Sequence, residues 1–174
     1  MIRIASVTAL LSFFLLGTEY ARAQQQWIDY RPTGAGYRVE FPAKPVEDVR
    51  DVTTDVGTIK MRTSSVDIGG KVFMTIDSLY PASVSMGDPE INLDGARNSG
   101  VRNVEGTLRA EKRLSVANAP ARRMVIDMPR TNQAADALIV LDGRRLYQAV
   151  YVGPRGTEEA PEVRRFLSSF ALLR

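Results

Sequence analysis

The chain of 174 residues contains neither cysteine nor histidine. Without cysteine there is no disulfide bond, and without both residues there is no Ser-His-Asp or Cys-His catalytic arrangement. Zinc and haem also lose their usual protein ligands. We therefore expect a protein that is not an enzyme and holds no cofactor. A hydrolase built on two carboxylates about 5–10 Å apart is the enzymatic alternative.

Lysine is scarce as well, and the charges nearly balance. The chain has 23 basic residues against 20 acidic ones, and almost all of the basic residues are arginine. A formal net charge of +3 is too small to indicate nucleic-acid binding, which needs a concentrated basic stripe. The preference for arginine is consistent with carboxylate or phosphate binding, or with a bias in genomic base composition.

The N-terminus has the features of an export signal. Arg3 precedes an apolar run from Ile4 to Gly17, and Ala21-Arg22-Ala23 matches the small-x-small pattern cut by signal peptidases. The run is too short to span a bilayer comfortably, since a spanning helix needs about 20 apolar residues. We expect residues 1–23 to be a signal peptide and the mature chain to begin at Gln24. The mature protein would be periplasmic or secreted, and would not span a membrane.

Residues 24–174 have the length of one globular domain, commonly about 100–150 residues. Alternating apolar and polar residues predict strands at Tyr37–Phe41, Thr58–Ile68 and Lys71–Tyr80. In the second of these, a bulge near Ser64 would place all the apolar residues on one face.

Further hairpin strands are predicted in the second half of the chain. They cover Leu108–Val116, Met124–Met128, Ala134–Leu141 and Leu146–Val152. The run from Ala134 to Leu141 is nearly all apolar, so both faces of that strand should be covered. Asp142-Gly143 is typical of a tight hairpin turn.

Two helices are predicted, one in the middle of the chain and one at its end. Asp88-Pro89 has the residues of a helix start, with the carboxylate as cap. Pro161 begins the final helix, which has one apolar stripe formed by Val163, Phe166, Leu167 and Phe170. Because the strands occur in runs joined by hairpins, the pattern predicts an α+β fold with an antiparallel sheet of six or seven strands and helices packed on it.

Two motifs resemble the PsbP-like family. They are Tyr37-Arg-Val-Glu-Phe41-Pro42-Ala-Lys44-Pro45 and Arg165-Phe166-Leu167-Ser168-Ser169-Phe170, with a middle helix and meandering strands between them. The resemblance implies an α/β/α sandwich, exported to a thylakoid lumen or a bacterial periplasm, that serves as an accessory or interaction subunit. The family's best-known members assist photosystem II and its calcium and chloride, but none of their ion-contacting positions can be matched here.

Two sets of residues invite a metal-binding interpretation. Asp48, Asp51 and Asp55 form an acidic series, but they lack the calcium-loop pattern and its final glutamate, so a solvated acidic loop is favoured. Met124 and Met128 share one strand face, where core packing is favoured over soft-metal binding. No metal site is predicted.

Arginine pairs are the remaining candidates for a binding site. Arg122-Arg123 and Arg144-Arg145 each fall in or beside a predicted strand, where adjacent side chains point to opposite faces. One member of each pair would form an anion site if the two strands were neighbours, and ordinary exposed strand ends are the alternative.

From these observations we expect an exported, non-enzymatic domain that binds another protein or an envelope component. The alternative is a carrier of a small ligand, an anion or a lipid, in a cleft between sheet and helix with arginine holding the ligand. Neither interpretation identifies the partner.

Overall fold

The computed structural model describes residues 26–55 and 57–173. The predicted signal peptide lies outside the described residues, as do Ala21, Ala23 and Gln24 around its cleavage site. Among the described residues, no helix has the length and apolar character needed to span a membrane.

Ten strands and two helices are described, and all of the predicted elements are among them. The strands are β1 (Ile28–Tyr30), β2 (Tyr37–Phe41), β3 (Val46–Thr54), β4 (Gly57–Ile68), β5 (Lys71–Leu79), β6 (Thr107–Val116), β7 (Ala119–Met128), β8 (Gln133–Asp142), β9 (Arg145–Pro154) and β10 (Ala171–Leu172). The helices are α1 (Pro89–Asn103) and α2 (Pro161–Ser169).

Seven of these strands form one antiparallel sheet in the order β3-β4-β5-β9-β8-β7-β6. A separate small sheet has the order β1-β2-β10. The predicted α+β fold with a six- or seven-stranded antiparallel sheet is therefore confirmed. The small sheet was only partly foreseen, because β1 and β10 are two or three residues long and too short to show alternation.

Each face of the large sheet packs against one helix. On one face, here called the α2 face, aromatic side chains pack together: Phe73 and Tyr151 from the sheet meet Phe41 from β2 and Phe166 from α2. On the other, here called the α1 face, Leu93 of α1 packs with apolar residues of β7 and β8. The nearly all-apolar run predicted to be covered on both faces is β8, and eight of its ten residues are buried.

The ends of the helices follow from their sequences. The side chain of Asp88 caps α1 by accepting a 2.8 Å hydrogen bond from the backbone N–H of Glu90, and Pro89 occupies the first turn. The apolar stripe of α2 is buried as predicted, together with Phe170 just beyond the helix.

Two expectations about the first half of the chain were wrong. No bulge occurs near Ser64, because β4 keeps one continuous register with β5. Both faces of β4 carry apolar residues: Val66 is buried on the α2 face, and Met61 lies partly buried on the face toward α1. The acidic series is not a loop, since Asp48 and Asp51 belong to the edge strand β3 and only Asp55 lies in the following turn.

Candidate functional site

A cleft of about 730 Å³ lies between α1 and the α1 face of the sheet. Small-molecule sites commonly have volumes of about 300–1,000 Å³. The apolar lining comes from strands on both sides of the sheet's centre: Met61, Met74, Ile76, Val150, Val152, Met124, Ile126, Ala135 and Ala137. This surface is large enough and apolar enough to receive a small molecule.

The cleft exists because α1 presents small side chains to it. Gly95, Ala96, Ser99 and Gly100 line the cleft, and Leu93 is the one helix side chain that is fully buried. A Cβ atom added at Gly95 would meet no atom within 4 Å, and one at Gly100 would lie 3.9 Å from Met124 Cε. A larger residue at Gly100 would extend into the space between helix and sheet, whereas Gly95 is exposed.

Three polar groups face the apolar floor. Ser78 and Gln148 lie diagonally across the β5–β9 pair, and Tyr80 follows the end of β5. Burial raises the pKa of Tyr80, so its hydroxyl is a neutral donor at physiological pH. Within the described part of the chain, the side chains of Ser78 and Gln148 have no hydrogen-bond partner. They are available to a bound molecule.

Arg102 is the only charged residue among those that line the cleft. It lies in the last turn of α1, where a cation complements the negative end of the helix dipole. Its guanidinium donates a 3.0 Å hydrogen bond to the Ser99 hydroxyl, and no carboxylate of the described residues forms an ion pair with it. The cleft therefore offers apolar contact, a few hydrogen-bonding groups and one cation.

A buried ion cluster fixes α1 over the sheet. The fully buried guanidinium of Arg122 on β7 donates to Glu90 at 2.8 Å, to Glu111 at 2.7 Å and to Asp94. Glu90 and Asp94 belong to α1 and Glu111 to β6. Burial raises the pKa of Glu111, but hydrogen bonds from Arg122 and Arg97 outweigh it and hold that pKa below its usual value. The cluster keeps the N-terminal half of α1 in place beside the cleft.

The arginine residues predicted to bind an anion do not form one patch. Arg122 and Arg123 point to opposite faces as expected, since Arg123 pairs with the buried Asp136 on the α2 face at 2.6 Å. Arg145 pairs with Asp77 at 3.0 Å, and Arg144 lies in the turn and donates to the Tyr80 carbonyl at 2.6 Å. Their strands are not neighbours, so the condition for a shared anion site is not met.

Strand β8 lies between β7 and β9, and this separates the two arginine pairs. Binding of an anion by any one of the four stays a prediction.

The other sequence candidates lie away from the cleft or within the core. Asp48 and Asp51 occupy the exposed edge strand β3, and among the described residues no group of three or more acidic side chains is arranged to hold a metal ion. Met124 is buried and Met128 packs partly buried beside it, in agreement with the core-packing interpretation.

Comparison with known proteins identifies a similar fold but no relative in sequence. No protein-family model matches the chain, and no curated protein matches it in sequence. The solution structure of cyanobacterial PsbP (CyanoP) from Synechocystis sp. PCC 6803 matches it with a TM-score of 0.55 at 12% identity, covering 90% of this chain and 98% of that one. This chain has a PsbP-like fold. The resemblance predicted from two short motifs is confirmed at the level of the fold.

A second structure, a protein of unknown function from Pseudomonas aeruginosa, covers 76% of this chain and 85% of its own. It matches with a TM-score of 0.37 at 10% identity.

Sequence reasoning missed the residues that distinguish the cleft of this PsbP-like domain. Arg102, Ser78 and Gln148 carry no motif, and only the fold brings them to one cavity. The sequence did indicate something unusual about α1, because Gly95 and Gly100 each lower the stability of a helix by about 1 kcal/mol relative to alanine. Gly100, which faces Met124 of the sheet, leaves room there between helix and sheet.

Proposed function

We propose that this chain is an exported, non-enzymatic binding domain and that the cleft under α1 is its ligand site. The observation that carries the proposal is the cleft itself, a cavity of about 730 Å³ with an apolar lining and unpartnered polar groups. The predicted signal peptide supports export. The PsbP-like fold supports an accessory role in the sense that the resemblance to that family implies.

The chemistry of the lining supports binding rather than catalysis. Among the described residues that line the cleft there is no carboxylate, and the whole chain lacks histidine and cysteine. Acid–base catalysis there would depend on Tyr80, whose raised pKa makes it a poor base. The same lining provides apolar surface and hydrogen-bonding side chains, which are the usual contents of a small-molecule pocket.

The test is saturable binding of an apolar fluorescent probe, 1-anilinonaphthalene-8-sulfonate, followed by its emission. We expect binding at one site in the parent protein and at least a tenfold loss in Gly100→Leu, whose new side chain would occupy the cleft. Ser168→Leu adds the same side chain to the exposed surface of α2 and should bind as the parent does. Equal binding by parent and Gly100→Leu would contradict the proposal.

A second candidate function is the docking of a protein along the edge strand β3. This strand leaves one side of its backbone unpaired, and Val46 and Val49 are 77% and 46% exposed. An exposed edge of nine residues is suited to pairing with an extended segment of a partner. Cross-linking in the native cell envelope should then place the cross-links on β3, and Val49→Lys should abolish them. Cross-links elsewhere would contradict this candidate.

A further inference from the structure

We propose that the ligand of the cleft is a single-chain amphiphile with an anionic head group, whose head is held by Arg102 and whose chain lies on the apolar floor. This inference rests on the proposed function, because it names the ligand class of the same cleft. Its first support is charge complementarity, since Arg102 is the one charged residue that lines the cavity.

The guanidinium of Arg102 differs from that of its neighbour Arg97 on the same helix. Arg97 is committed to Asp94 at 2.9 Å and to Glu111 at 3.0 Å. Arg102 donates only to the Ser99 hydroxyl within the described residues, so most of its five N–H donors are free. A carboxylate or a phosphate monoester matches the planar fork of these donors.

The floor of the cleft is long enough to hold an extended hydrocarbon chain. Its lining on β9 runs from Leu146 to Val152, six residue steps or about 20 Å at 3.3–3.4 Å per residue. Gly100 lies over Met124, which is in register with Ala137 and Val150. The last turn of α1, with Arg102, therefore lies over the Val150–Val152 end of this floor.

The opposite end of the floor is more polar. Gln148 and Ser78 lie beyond Val150 along the cleft, and their side chains are unpartnered within the described chain. Covering these groups with hydrocarbon would leave them without hydrogen bonds, which is unfavourable. The length of chain that binds well is therefore limited by the distance from Arg102 to this polar end.

The experiment is isothermal titration of the full mature protein with monomeric amphiphiles. Octanoate, decanoate and dodecanoate vary the length of the chain. Decyl phosphate and 1-decanol vary the head group at a constant chain length. Acetate and inorganic phosphate are the controls that have an anionic head but no chain. Affinity should rise about fourfold for each added methylene and level off once the chain reaches Gln148. Acetate and phosphate should show no binding, and stronger binding by either than by decanoate would overturn the proposal.

The head-group contact is tested by substituting Arg102. In Arg102→Gln the affinity for decanoate and for decyl phosphate should fall about tenfold, while that for 1-decanol stays unchanged. Arg164→Gln makes the same change in charge on α2, on the opposite face of the sheet, and should bind as the parent does. Equal loss in both arginine variants, or equal parent affinity for decanoate and 1-decanol, would overturn the assignment of the head group to Arg102.

Different results would contradict the proposed ligand site and the proposed ligand class. If decanoate and 1-decanol bind equally and Gly100→Leu abolishes both, the cleft is a ligand site and the anionic head group is wrong. If no amphiphile binds, or if Gly100→Leu binds them all as the parent does, the cleft is not the ligand site and both proposals are wrong. Thermal melts of each variant verify that it is folded.

Discussion

Arg122 and Arg123 are consecutive on β7, yet their guanidinium groups bind carboxylates on opposite faces of the sheet. Arg122 holds Glu90 and Asp94 of α1, whereas Arg123 holds Asp136 on the α2 face. Arg122 thus ties the sheet to α1, whereas Arg123 ties β7 to its neighbouring strand β8. The contacts of Arg122 govern where α1 lies, and hence the width of the cleft.

Replacing Arg122 with methionine should destabilise the protein by about 3 kcal/mol, measured as the free energy of unfolding in urea. The change removes the one fully buried cation of the cluster and leaves Glu90, Asp94 and Glu111 with only the partial compensation of Arg97 and Arg113. Removing one partner of a buried ion pair is strongly destabilising. Arg113→Met is the matched control, because Arg113 approaches the same Glu90 at 3.4 Å but is 69% exposed. It should cost less than about 0.5 kcal/mol. Similar losses in the two variants would contradict a special role for the buried arginine.

The ion cluster should also make stability depend on pH in the acidic range. Burial raises the pKa of Glu111, but hydrogen bonds from Arg122 and Arg97 lower it by more, so its folded-state pKa lies below the usual value for glutamate. Such a group stabilises the fold above its unfolded-state pKa, and this contribution is lost as pH falls through the folded-state pKa. The free energy of unfolding should therefore decrease below about pH 4.5.

The contribution of Glu111 is isolated by substitution. Glu111→Gln should be less stable than the parent at pH 7, and should lose less of its stability between pH 5 and pH 3. Glu159→Gln, at a side chain that is 74% exposed, provides the comparison and should follow the parent's pH profile. A Glu111→Gln profile parallel to the parent's would contradict this origin of the acid sensitivity.

Two glycines around α1 should respond in opposite directions to alanine. A Cβ at Gly106, just before β6, would lie 2.5 Å from Ile126 Cγ2 and 2.8 Å from the Asp127 carbonyl oxygen. Gly106→Ala should therefore destabilise the protein by about 1–3 kcal/mol through overpacking. Gly95→Ala, in the middle of α1 with no atom within 4 Å, should instead stabilise it by about 0.5–1 kcal/mol. Urea unfolding measures both, and a loss of stability in Gly95→Ala would contradict the open surroundings of that position.

Export predicts the first residue of the mature chain. Mass spectrometry of protein recovered from the periplasm or the medium should find Gln24 at the N-terminus, following cleavage after Ala23. Ala23→Arg should slow cleavage and leave the precursor, whereas Gln26→Arg, downstream of the site, should be processed as the parent is. Recovery of intact chains beginning at Met1 from the cytoplasm alone would contradict export.

The sequence predicted the elements whose burial pattern is periodic and missed those set by tertiary contacts. The strand Tyr37–Phe41 was evident because buried and partly exposed residues alternate along it, and the stripe of α2 because its buried residues lie on one face of a largely exposed helix. The edge strand β3 was taken for a loop, since a strand with six exposed residues in succession shows no alternation. Arg122 was noticed for its charge, but nothing local indicates that α1 and β6 would supply its three partners.

The small sheet determines where the first and last described residues lie. Strands β1 and β10 both pair with β2, on the side of the large sheet opposite the cleft. A biosensor surface, a fluorescent protein or a purification tag attached at either end would thus face away from α1. Immobilised protein would keep the cavity open to the flowing solution, so binding kinetics can be recorded without re-engineering the chain.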